Sequence, residues 1–137
     1  MKASTGLLAI VLIASSSFSA AAEREIIPPT AAADRAGEKA TVEFKVVAGT
    51  LLSDRESPIC FLNSMKNFRS ADNFTVVIFS EGLAKFKKVK IENPLEHFRD
   101  KTIRVTGVIG LRQGKPQIIV EYSEQIEIVD KKKTATE

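Results

Sequence analysis

The chain has 137 residues, with 20 Lys and Arg against 17 Asp and Glu and 44% hydrophobic residues. That is one domain's worth, long enough to bury a core without staples. A single cysteine and a single histidine exclude an internal disulfide framework and a zinc site built on clustered Cys and His ligands.

The first segment reads as an export leader. Lys2 gives a short positive start, and residues 6–14 (GLLAIVLIA) form an apolar run too short to span a bilayer. A serine-rich break follows, and small residues at 19–22 offer a cleavage site after Ala22, with Ala20 and Ala21 as alternatives. Cleavage there leaves 115 residues with a net charge of +2, in the periplasm or outside the cell. No cysteine follows the apolar run to carry a lipid. The divisions expected are a signal peptide (1–22), a linker and short helix (23–37), a β domain (38–129) and a disordered charged tail (130–137).

Pro28-Pro29 marks an extended lead, and TAAADRA (30–36) is helix-prone, with Gly37 as a stop. TVEFKVVAGT (41–50) alternates: Val42, Phe44 and Val46 face one way, Glu43 and Lys45 the other, with Gly49 at a bend. PICFLNS (58–64) predicts a second strand, MKNFRSADN (65–73) a loop, and FTVVIFS (74–80) a central third strand. Ser80 is a candidate cap for a helix over 81–87, and Asn93-Pro94-Leu95-Glu96 opens a second helical turn reaching 100. TIRVTGVIGLR (102–112) predicts the fourth strand, with Ile103, Val105, Ile109 and Leu111 on its apolar face. Gln113-Gly114-Lys115 makes a tight hairpin into a fifth strand (116–122), and QIEIV (125–129) a short sixth.

Five or six strands with one helical region between the third and fourth fit an all-β, partly open Greek-key barrel with the helix at one end. A β-sandwich is the alternative, though it asks for about seven strands and no such helix.

Several motifs sharpen this. Val105-Thr106-Gly107, then Gly114-Lys115-Pro116-Gln117-Ile118-Ile119-Val120, then Glu124-Gln125-Ile126 resemble the bacterial OB-fold nucleic-acid-binding domains of the tRNA-anticodon and helicase type. The resemblance covers about residues 30–129. It implies a five- or six-stranded OB barrel that binds single-stranded DNA or RNA. Two departures stand out: Leu111-Arg112-Gln113 where the family hairpin often has an aromatic, and Asp100-Lys101 in place of Gly-Lys.

Single-strand binding needs cations along a groove and aromatic faces for bases to stack on. The candidates are Lys45, Arg104, Arg112 and Lys115 on the polar faces of the first and fourth strands and the hairpin, Lys66 and Arg69 in the 65–73 loop, and the aromatics Phe61 and Phe68. Phe44, Phe74, Phe86 and Phe98 fall on apolar phases and belong to the core. Lys85, Lys87, Lys88 and Lys90 lie in the helical region, away from the face such barrels use. His97 stands alone, no catalytic or nucleotide-binding motif occurs, and carboxylates are scattered. The expectation is a non-enzymatic binding protein without metal or cofactor. Export points to a competing partner: an envelope protein, a small ligand or an oligosaccharide.

Overall fold

The computed structural model describes residues 25–129; the expected leader and charged tail lie outside them. Its elements are β1 (Ile26–Ile27), a 3-10 helix (Pro29–Arg35), β2 (Lys39–Lys45), β3 (Ala48–Leu52), β4 (Ile59–Asn63), β5 (Thr75–Ile78), α1 (Ser80–Lys88), α2 (Pro94–Phe98), β6 (Thr102–Arg112), β7 (Lys115–Ile119), a 3-10 turn (Ser123–Gln125) and β8 (Ile126–Ile128).

Period-two alternation sets which side chains turn inward. On β2, Ala40, Val42 and Phe44 are buried while Lys39 and Lys45 are exposed. The strands run in the order β1-β2-β6-β7-β5-β4-β3, with β8 also on β6. Only Val46 and Val47 separate β2 from β3, so one bent strand pairs with β6 through its first half and with β4 through its second and closes the wall. β5 pairs with β7 in parallel, and the other barrel pairs are antiparallel. Closure removes the open edges that so small a sheet would otherwise expose. The protein is an all-β OB-fold barrel.

Ile26 and Ile27, within the expected linker, form a short parallel strand against Thr41 and Val42. The bend after β2 brings Gly49 against the Phe61 backbone and within reach of Leu95, where a Cβ has no room. The helical region plugs one end. α2 begins as expected: the Asn93 side chain accepts from the Glu96 N–H at 3.1 Å, with Pro94 in the first turn. Ser80 is not the cap of α1. It is the first helical residue, and Phe79 holds the cap position without a side-chain bond.

Val76 and Ile78 from β5, Ile103, Val105 and Ile109 from β6, and Leu62, Phe74, Ile118 and Val120 fill the barrel, all essentially inaccessible. Phe86 and Phe98 from the helices cover its end, edge-to-face at 6.0 Å, and Phe44 meets Phe74 at 5.4 Å. Each such side chain contributes roughly 1.5–3 kcal/mol relative to exposure. Cys60 is fully buried on β4, and burial pushes its thiol up to about 12. Leu111 departs from the expected inner face. β6 loses β2 as a neighbour after Val108 and runs out into the hairpin, which leaves Leu111 exposed.

Candidate functional site

The outer wall carries cross-strand rows fixed by register. One row is Thr50, Phe61, Val77 and Ile119; the next is Ala48, Asn63, Thr75 and Gln117. Two structures overhang these rows, the loop between β4 and β5 and the hairpin between β6 and β7.

The loop is held by its own polar residues. Arg69 N–H donates to Asn67 Oδ1 at 3.0 Å, Asp72 N–H to Ser70 Oγ at 3.2 Å, and Ser70 N–H to the Asn67 carbonyl at 3.0 Å. Asn73 ties the loop to the barrel. Only 1% exposed, it accepts from Met65 N–H at 3.0 Å and donates from Nδ2 to Asn63 Oδ1 at 3.1 Å and Thr75 Oγ1 at 3.0 Å. At the loop tip Phe68 is 57% exposed, with the Arg69 guanidinium 5.2 Å from the ring centroid.

The hairpin turns on Gln113 (φ 54°) and Gly114 (φ 81°). Left-handed conformations at both central residues make a tight turn matched to strand twist. Its register sets Arg112 directly opposite Lys115. Like charges facing each other across a ladder destabilise a sheet, and among the described residues neither cation is engaged in an ion pair.

Loop and hairpin together enclose a groove of about 560 Å³, lined by Phe61, Phe68, Arg69, Arg112 and Lys115 with Thr50, Asn63, Thr75, Gln113, Pro116 and Gln117. No carboxylate lines it. Five of the eight residues singled out from sequence meet here. Lys66 is exposed on the same loop but does not line the groove. Lys45 sits at the far end of β2 opposite Thr102, and Arg104 donates from Nε to Glu43 Oε1 at 2.9 Å. Lys45 and Arg104 thus belong to another part of the wall, and Arg104 is already occupied. Asn63, Thr75 and Gln117 are lining residues that the sequence reading missed.

A second groove of about 850 Å³ adjoins the first and shares Gln117 with it. Val108, Ile119 and Tyr122, all more than 40% exposed, line it together with Glu121, Glu124 and Lys39. Gln125 fastens its rim: Oε1 accepts from the Glu121 and Tyr122 N–H groups, and Nε2 donates to the Thr106 carbonyl. The Lys85 ammonium lies 4.1 Å from the centre of the Tyr122 ring. Among the described residues no helix is long and apolar enough to cross a membrane.

No family model matches the chain, and no curated protein does. Solved structures do. A Leishmania major Friedlin protein assigned as an aspartyl-tRNA synthetase is similar at TM-score 0.51 and 11% identity, over 88% of this chain and 23% of its own. RecG bound to a three-way DNA junction is similar at TM-score 0.49 and 17% identity, over 77% of this chain and 12% of its own. A Klebsiella pneumoniae lipoprotein assigned to nucleic-acid binding is similar at TM-score 0.48 and 14% identity, over 85% of this chain and 100% of its own. The chain thus spans under a quarter of the first two. At these identities the likeness concerns the fold.

Proposed function

We propose that this chain is a binding module for single-stranded nucleic acid, with no reaction of its own, and that the groove between the Phe68 loop and the 113–114 turn is its site. The observation that carries this reading is the joining of three cations and two aromatic rings in one groove without a carboxylate. Cations track a phosphate backbone, and aromatic faces accept bases of any sequence. The place suits the fold: β4 and β5 are the second and third barrel strands and the 113–114 turn joins the fourth to the fifth, the regions OB barrels offer to oligonucleotides and oligosaccharides. Titration of a labelled (dT)12 oligonucleotide tests it. Binding at low salt should weaken with added salt at a log–log slope of about −2 for three phosphate contacts at about −0.7 each. No binding at low salt overturns the reading.

The adjoining groove favours a second reading. Exposed Val108, Ile119 and Tyr122 beside Glu121 and Glu124 suit an apolar or cationic ligand, such as a segment of an envelope protein, and not a phosphate chain. We also propose export, on the leader pattern over 1–22. The mature protein recovered from cells should begin at Glu23; retention of Met1 overturns that element.

A further inference from the structure

The hydrogen bonds behind the groove fix one amide in a single orientation. Met65 N–H donates to Asn73, so the atom facing it is Oδ1, and the Asn73 amide nitrogen points the other way, towards Asn63 and Thr75. A donor facing Asn63 requires the Asn63 oxygen there. The Thr75 hydroxyl donates to that same oxygen at 2.8 Å. Asn63 Oδ1 therefore holds two donors, and its Nδ2, with two hydrogens, has no acceptor among the described residues.

Asn63 is 7% exposed and lines the groove. Buried amide donors in native proteins are seldom left unmet. The neighbouring Gln117 differs: half-buried and without a side-chain hydrogen bond among the described residues, it can turn either end of its amide to a ligand. Asn63 cannot turn.

Resting on the single-strand reading above, we infer that Asn63 discriminates against adenine at the base seated beside Phe61 and Phe68, donating from Nδ2 to an exocyclic carbonyl such as those of thymine and uracil. With its oxygen committed, Asn63 cannot make the two-bond contact by which a free asparagine reads adenine. Adenine N1 and N7 both flank the exocyclic amine, whose hydrogens would meet those of Asn63. Thymine and uracil carry a carbonyl at both O2 and O4 and satisfy the donor from either side.

The test compares (dT)12 with (dA)12 on the full chain and on Asn63→Asp. The aspartate keeps an oxygen for Asn73 and Thr75 and replaces the donor with an acceptor. The unmodified protein should prefer (dT)12 by about five- to tenfold, the size of one neutral hydrogen bond. In N63D the ratio should fall to one or invert in favour of (dA)12, since an acceptor there suits the adenine amine. A ratio near one in the unmodified protein, or a preference that survives N63D, overturns the inference and leaves the single-strand reading standing. Failure of both oligonucleotides to bind the unmodified protein at low salt overturns both. Should N63D not fold, oligonucleotides carrying 2-thio- or 4-thiothymine decide with the unmodified protein. One of them should bind about threefold more weakly, sulfur being the poorer acceptor, and equal binding of both overturns the inference.

Discussion

The two grooves share β7 and the Gln117 side chain, yet their chemistry is opposite. One has Arg69, Arg112 and Lys115 with no carboxylate; the other sets Glu121 and Glu124 beside exposed Val108, Ile119 and Tyr122. The strands supply part of each set: Val108 and Arg112 stand on β6, Lys115 and Ile119 on β7. Both grooves lie on the same outer wall, and a different segment overhangs each end of β7. Strand residues near the two ends of β7, with the segments that overhang them, thus give one wall two unlike surfaces.

Four measurements can break or sharpen this contrast. The largest effect expected is a control on the wall. Cys60, directly behind Phe61, is fully buried with its thiol pushed up to about 12, so iodoacetamide at pH 8.5 should label native protein at least about a hundredfold more slowly than urea-unfolded protein. Because the folded thiol holds its proton above the ordinary cysteine value of 9.0, the stability this contributes is complete below about pH 9. It is lost as the pH climbs towards 12, which urea melts at rising pH would show. Groove variants that keep this protection keep the barrel. Next, Phe68→Ala should weaken (dT)12 binding by roughly 1–3 kcal/mol, whereas Ile119→Ala should leave it unchanged; equal losses would merge the two grooves into one site. Third, Arg112→Ala with Lys115→Ala should make the salt slope shallower by about 1.4 in the same titration. An unchanged slope would mean that neither cation meets a phosphate. Smallest, Glu121→Gln with Glu124→Gln should strengthen oligonucleotide binding about twofold at low salt and not at physiological salt, as removal of a screened repulsion does.

Much of the wall was readable because its residues obey local rules. The strand over 102–112 follows from alternation alone and is β6 with those bounds. The Asn93 cap follows from Asn-Pro-x-Glu. Phe68 could be singled out because it interrupts a polar loop. The cations were sorted less well, since alternation says which side of a strand a residue faces but not what stands opposite. Arg104 lies across from Glu43 and is consumed by it; Arg112 lies across from Lys115 and is not. Asn63 carries no local signal. Its role depends on register with Thr75 and on Asn73, ten residues later, folding back beneath the loop.

β5 and β7 meet along a parallel seam of three residue pairs, Thr75 with Gln117, Val76 with Ile118 and Val77 with Ile119. Phe61 and Asn63 stand on one side of it, Lys115 and Arg112 on the other. Anything gripped from both banks is stitched across that join, so occupancy should raise the melting temperature with ligand concentration. In the empty protein the seam should be the first line along which amide hydrogens exchange.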